Sequence, residues 1–156
     1  MVAMSESTYA RVERERRFLV GEVPDGVVRV VCIEDYYLDG SRLRLRETTD
    51  QDGTVVRTLG HKVRLSEDAT EIAHTSLYLT ESEWALLRRL PARRLSKTRH
   101  VVERDGMTVA LDRLDDGTLL AEIDDGDRAP VAVPPWLSVE RDVTGEERWT
   151  GGELAR

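Results

Sequence analysis

Three arginines at alternate positions in residues 41–47, reading SRLRLRE, narrow what this chain can become more than any other feature. In a strand, Arg42, Arg44 and Arg46 share one face and Leu43 and Leu45 take the other. Asp39-Gly40, just before, is the strongest two-residue hairpin signal in the sequence and favours the strand. Three like charges in a row repel one another and lose hydration if covered, so they need bulk water or an anion. An edge strand blunted by charge meets that need as well as a binding site does.

Charge returns with the same period in residues 12–20, VERERRFLV, where Glu13, Glu15 and Arg17 share one face of a strand. The run ends in apolar Leu19-Val20, which places these charges at the entry to a sheet. Carboxylates about 7 Å apart along a strand can hold a divalent metal, because hard cations take oxygen ligands. A solvated face of mixed charge is the plainer reading of this stretch alone.

Later segments repeat the design. Residues 27–33 form a short β-branched run that fits a strand or a buried helix. Residues 54–65 read as a strand with Thr58, Gly60 and Lys62 on one face, and an alternating piece begins at Glu71. Thr80 followed by Glu83 is a capping box that opens the clearest helix, with Trp84, Leu87 and Leu90 predicted as core contacts and Pro91 as its stop. Residues 95–102 place Lys97 and Arg99 on one face. Asp105-Gly106 and Asp116-Gly117 close hairpins around a strand carrying Asp112, and residues 118–124 pair Glu122 with Asp124 across Ile123. Residues 125–135 are loop-like, and Pro134-Pro135-Trp136-Leu137 fixes an extended turn with a large apolar anchor; Thr144 with Glu147 suggests a second capping box, and Gly151-Gly152 interrupts the end.

Seven or eight strands joined mostly by Asp-Gly hairpins, with one clear helix, make an antiparallel α+β design in a single domain spanning residues 1–156, residues 1–10 being a flexible tail. If such a sheet closes into a barrel, one face lines an interior, and an interior this polar must hold water, ions or ligand. The net charge of −7 argues against general nucleic-acid affinity, although local basic rows can bind a small polyanion. No apolar run approaches the roughly 18 residues of a membrane helix, and no signal peptide opens the chain. Cys32 is the only cysteine, in keeping with a reducing cytoplasm, and His61, His74 and His100 lack ligand spacing for zinc.

The ordered set of these motifs resembles the CYTH domain, the triphosphate tunnel metalloenzyme family, over nearly the whole chain. The residues that carry the likeness are Glu13, Glu15 and Arg17 in place of an ExExK motif, the RLRLRE run, Lys62, the KTRH strand, Asp112 followed by Glu122-Ile123-Asp124, and a PPWL and VERDVTGEERW tail. Arg17 replaces the usual lysine, Glu71 is followed by Ala73 where a second glutamate is common, and Gly151-Gly152 stands where an Asn-rich segment is frequent.

The resemblance implies a closed eight-stranded antiparallel β-barrel, a tunnel with flanking helices, that hydrolyses the terminal phosphoanhydride of inorganic triphosphate or a small organic triphosphate. It assigns catalysis to Glu13, Glu15, Glu122 and Asp124, and phosphate binding to Arg17, Arg42, Arg44, Arg46, Lys62, Lys97 and Arg99. Mg²⁺ or Mn²⁺ would be held by Glu13, Glu15, Asp112, Glu122 and Asp124, with Glu71 as a further candidate. The partner is then a small-molecule triphosphate, with no nucleic acid and no membrane, and a homodimer is left open. A non-catalytic polyphosphate- or nucleotide-binding module and an adenylate-cyclase-type activity are the alternatives. The absence of a G-x-x-x-x-G-K-[ST] loop removes support for a P-loop mechanism. So many cations in one interior would also store like-charge repulsion for a bound polyanion to relieve.

Overall fold

A computed structural model describes residues 9–156 of the chain, so the tail expected over residues 1–10 lies outside the described residues except for its last two. Nine strands form one antiparallel sheet: β1 (Arg11–Val20), β2 (Val27–Leu38), β3 (Leu43–Asp50), β4 (Val55–Arg64), β5 (Glu71–Tyr78), β6 (Ala92–Arg104), β7 (Met107–Leu114), β8 (Leu119–Asp124) and β9 (Val139–Asp142). Helix α1 (Glu81–Leu87) follows β5, and a 3-10 turn (Glu147–Trp149) leads into the short α2 (Gly151–Leu154).

The strand order is β5-β4-β3-β2-β6-β7-β8-β1-β9, and β5 also pairs with β1, which closes strands β1 to β8 into a barrel. β1 is the seam. Its residues 15–20 pair with β8 along one edge, while on the other edge residues 11–14 pair with β5 and residues 18–20 with β9. The two long strands β2 and β6 run side by side from Val27↔Val102 to Leu38↔Ala92. Hairpin chemistry sets several of these registers: Asp105 and Gly106 both have positive φ (52° and 75°), the geometry of a two-residue turn that matches strand twist.

Alternation along the strands separates two environments. Phe18, Val20, Val102, Val109, Leu111, Leu119, Ala121 and Ile123 form a buried apolar cluster on the outer face, and Leu137 covers it from the loop after β8. Val23, Met107 and Trp136 pack against its rim. Burying each such large side chain contributes about 1.5–3 kcal/mol, so this outer cluster offsets the cost of a charged interior. The turn at Trp136-Leu137 thus supplies the apolar anchor the sequence suggested, with Leu137 buried in the cluster and Trp136 packed at its rim.

Several local expectations change. Residues 27–33, which fit a strand or a buried helix by sequence, take the strand and extend it through Leu38. α1 has the reciprocal Thr80–Glu83 capping box, yet none of its residues is buried. Trp84 packs edge-on against Tyr36 with ring centroids 6.0 Å apart, and Leu86 and Leu90 are exposed, because the helix is only seven residues long and touches the barrel on one narrow side. Thr144 caps no helix: its Oγ1 accepts the Arg17 backbone N–H at 3.0 Å, and the Val143 N–H donates to the Arg17 carbonyl at 2.9 Å. The edge of β1 takes this segment before a helix can. β9, unmarked by alternation or turn signals, is a strand because that same edge is open to it.

Candidate active site

Register brings the charged rows to one interior. Directly paired residues share a face, and the pairs Arg44↔Tyr37, Arg44↔Gly60, Lys62↔His74, Arg99↔Asp112 and Arg17↔Glu122 carry that face round the barrel. The result is a cavity of about 110 Å³ lined by Glu13, Glu15, Arg17, Arg44, Arg46, Lys62, Lys97, Arg99 and Glu122, together with Tyr37, His74 and Gly151. Buried apolar residues on the same strands, Val31, Ile33, Leu95 and Leu120, interleave with these charges and exclude water from behind them.

Every interior cation has a carboxylate. Asp112, 1% exposed, accepts Arg99 Nε at 2.7 Å and Nη2 at 2.8 Å, and also Lys97 Nζ at 2.6 Å. Asp35, fully buried, accepts Arg46 Nε and Nη2 at 2.7 Å each and lies 3.8 Å from Arg44 Nε. Arg17 Nη2 donates to Glu15 Oε2 at 2.6 Å, with its Nε 3.6 Å from Glu122 Oε1. Lys62 Nζ is 3.4 Å from Glu13 Oε2, and Arg99 Nη2 is 3.4 Å from Glu122 Oε2. The like-charge repulsion anticipated for the tunnel is therefore largely offset: six cations face five carboxylates, the three glutamates lining the cavity and Asp35 and Asp112 buried outside its lining.

The titration of these groups follows from their neighbours. Burial alone would raise Glu13, but the His74 hydrogen bond and the nearby Lys62 charge outweigh it and hold the carboxyl at about 2. Burial is likewise overcome at Asp35, which the Arg46 hydrogen bonds and charge hold at about 2. Asp112 is driven well below the usual carboxylate range despite burial, by Lys97 and Arg99. Glu15 goes the other way: burial, and then the charge of Glu122, push it up in spite of Arg17. Burial pushes Lys97 down against the pull of Asp112.

Three residues named from sequence lie elsewhere. Asp124 has the parity of the interior face but ends β8, where its exposed carboxylate turns onto the backbone and accepts the N–H groups of Arg14 and Gly126 at 3.1 and 2.9 Å. Arg42 precedes β3 and is exposed, its carbonyl accepting the Lys62 N–H. Glu71 is on the opposite face of β5, where it pairs with Arg14 at 3.1 Å. Asp112 faces inward but is spent on Arg99 and Lys97. Among the described residues, no group of three or more His, Cys, Asp or Glu side chains already converges as an ion-holding cage.

Sequence reasoning missed Asp35, Tyr37 and His74. His74 Nδ1 lies 2.8 Å from Glu13 Oε1, and its buried Nε2 has no hydrogen-bond partner. Gly60 makes that placement feasible, since a Cβ there would stand 3.1 Å from His74 Nε2 and 3.5 Å from Arg44 Nη2. Gly151 does the same for Tyr37, whose hydroxyl would be only 1.9 Å from a Cβ at that position. The C-terminal segment that carries Gly151 is tied across the barrel by Arg64 to Glu147, by Arg93 to the Gly152 carbonyl, and by reciprocal backbone bonds between Arg94 and Arg156.

The chain is similar to two crystal structures of the protein NE1496, one of them described as the inorganic triphosphatase NE1496. The identities are 23% and 24%, the alignments cover 92% of this chain and 97% and 93% of theirs, and the TM-scores are 0.58 and 0.56. It is also similar to a conserved hypothetical protein from Pyrococcus furiosus, with 20% identity over 80% of this chain and 81% of that one and a TM-score of 0.55. No family model and no curated protein matches the chain. At these identities the likeness establishes the fold, an eight-stranded antiparallel tunnel of the kind the sequence resemblance implies.

Proposed function

We propose that this barrel is a metal-dependent phosphohydrolase that cleaves the terminal phosphoanhydride of inorganic triphosphate or a small organic triphosphate. The observation that carries the reading is the convergence of Arg17, Arg44, Arg46, Lys62, Lys97 and Arg99 with Glu13, Glu15 and Glu122 on one cavity inside the barrel. Guanidinium groups bind phosphate oxygens bidentately, and such charge-assisted bonds strengthen when water is excluded. Because the cations lie inside the barrel, a slender triphosphate suits them and a nucleic-acid duplex does not. The similarity to NE1496 supports the same activity.

The donor set suits Mg²⁺ or Mn²⁺. Glu15 and Glu122 are buried carboxylates close enough for one to raise the other, a strain that a dication relieves, and Glu13 adds a third hard oxygen donor. When bound, the ion neutralises charge on the reacting phosphoryl group. The chain's own residues do the rest. Arg44, Arg46, Lys97 and Arg99 hold the phosphates in line, Asp35 and Asp112 fix those cations from behind, and the apolar interior residues exclude bulk water. Hydrolysis itself breaks the bridging P–O bond by attack of water on the terminal phosphorus, a carboxylate of the glutamate set taking the proton. A cytoplasmic setting suits the single unpaired Cys32.

A second reading, a non-catalytic triphosphate-binding module, draws on one observation: Arg17 lies between Glu15 and Glu122, where a catalytic ion would be required. One experiment separates the two. The purified chain is incubated with tripolyphosphate, ATP and thiamine triphosphate in Mg²⁺ or Mn²⁺, and orthophosphate, pyrophosphate and cyclic nucleotide are measured. Metal-dependent orthophosphate release that is lost in Glu122→Gln is the expected result. A thermal shift with tripolyphosphate and no turnover would establish the module instead, and cyclic nucleotide with pyrophosphate would establish a cyclase.

A further inference from the structure

Arg17 reaches both carboxylates that a divalent ion would need. Its Nη2 donates to Glu15 Oε2 at 2.6 Å, while its Nε stands 3.6 Å from Glu122 Oε1 and has no hydrogen-bond partner. At that distance the second contact is an ion pair but not a hydrogen bond, so the guanidinium is held tightly by one carboxylate and loosely by the other. Its backbone is fixed on both sides, the N–H on Thr144 Oγ1 and the carbonyl on the Val143 N–H. The side chain is therefore delivered to this place by the fold, and only its own torsions can remove it. Burial makes the contact consequential: Arg17 is 5% exposed.

We propose that Arg17 is a resident counter-ion in the metal position, which competes with a divalent cation for Glu15 and Glu122 and weakens metal binding by the free protein. The inference rests on the reading of the tunnel as a metal-dependent triphosphate site. Two buried carboxylates left without a cation are costly, so some positive group must stand between them when no metal does. Arginine fills that place better than lysine. A lysine Nζ falls where Arg17 has Cζ, one atom short of the Nη2 that bonds Glu15, and it lacks the planar fork that reaches two acceptors at once. A bound phosphate offers the guanidinium an alternative acceptor, so the ion enters most readily together with its triphosphate.

The test uses Mn²⁺ alone, with no phosphate present, and follows free Mn²⁺ by electron paramagnetic resonance during titration of the full chain. Arg17→Met should bind Mn²⁺ about tenfold or more tightly than the wild type, with Arg17→Lys between them. Adding Glu15→Gln to Arg17→Met should abolish the gain. If Arg17→Met does not fold, the comparison of Arg17→Lys with the wild type decides the matter. Variants that bind Mn²⁺ no more tightly than the wild type overturn the proposal, as does a gain that survives Glu15→Gln. Failure of the functional reading shows separately, as a wild-type protein with no response to tripolyphosphate, a measurement in which the Arg17 variants take no part.

Discussion

Asp112→Asn removes the charge that holds two interior cations and leaves the side-chain volume nearly unchanged. In the wild type this carboxylate accepts two hydrogen bonds from Arg99 and one from Lys97, all between 2.6 and 2.8 Å, at 1% exposure. Removing one partner of a buried ion pair costs about 3–5 kcal/mol, because the remaining charge stays buried without compensation. Lys97, which burial already pushes down, is the group that can limit the loss by shedding its proton, so the lower half of that range is the expectation. For a chain of this size each kcal/mol moves Tm by about 2–4 °C, which predicts a fall of about 6–16 °C. Urea denaturation at neutral pH measures the free energy, and thermal melts with and without tripolyphosphate measure the rescue. The increment from tripolyphosphate should be larger in the variant, since the anion takes the place of the missing carboxylate. Stability within about 1 kcal/mol of the wild type would refute the idea that Asp112 holds these cations. Destabilisation with equal tripolyphosphate increments would refute their role as its ligands.

Gly151→Ala sets a Cβ against the Tyr37 hydroxyl and should destabilise by about 1–3 kcal/mol in denaturation, with partial recovery on adding Tyr37→Phe, because the next obstacle, Cζ, is 2.9 Å away. Acid should unfold the protein from its carboxylates. Glu13 falls from 4.5 to about 2 and Asp35 from 3.8 to about 2, so the stability they contribute is present above pH 4.5 and is lost as pH falls from about 4.5 through 2. Glu15 is raised and acts in the opposite sense, its contribution being lost as pH rises, so Glu13→Gln should flatten the acid limb of a urea-midpoint series and Glu15→Gln should steepen it. Arg44→Ala should raise KM for triphosphate about tenfold and also lower stability in the absence of ligand, because it takes a counter-charge from Asp35 instead of relieving a crowded positive interior.

Period-two alternation made most of the tunnel legible. Glu13, Glu15 and Arg17, then Arg44 and Arg46, then Lys97 and Arg99, needed only the pleat to be placed on one face, and the resemblance supplied closure. What alternation cannot show is where a strand stops pairing. Asp124 and Arg42 have the right parity, but each stands at a strand end, where Asp124 turns onto backbone N–H groups and Arg42 is exposed. On β5 the error was one of face. The sequence puts Glu71 and Ala73 forward at site positions, while the inward residues are Ile72 and His74, since Lys62 pairs with His74 and Glu13 with Ile72. A one-residue ambiguity of this kind exchanges every side chain between the two faces. Asp35 gave no signal, because Glu34-Asp35 precedes two tyrosines without alternating charge. It emerges only from its pairing opposite Arg46.

The near balance of charge inside the barrel changes what ligand binding must consist of. A patch with a large positive excess attracts polyanions at long range and loses them as salt is added. Here each cation is already paired with a carboxylate, Arg44 loosely at 3.8 Å from Asp35, so a triphosphate would gain little from net charge and would have to exchange with Glu15, Glu13 or Glu122 at contact distance. That exchange is favourable only if the displaced carboxylates receive another cation, since buried and unpaired they would cost several kcal/mol each. Under the proposed function a divalent ion held by Glu13, Glu15 and Glu122 would supply that cation and would also neutralise charge on the phosphate. Anions too short to reach several strands would break ion pairs without replacing them all. Under the proposed function, selection for a triphosphate would follow from the number of pairs exchanged together, and a need for metal would follow from the carboxylates that the exchange sets free.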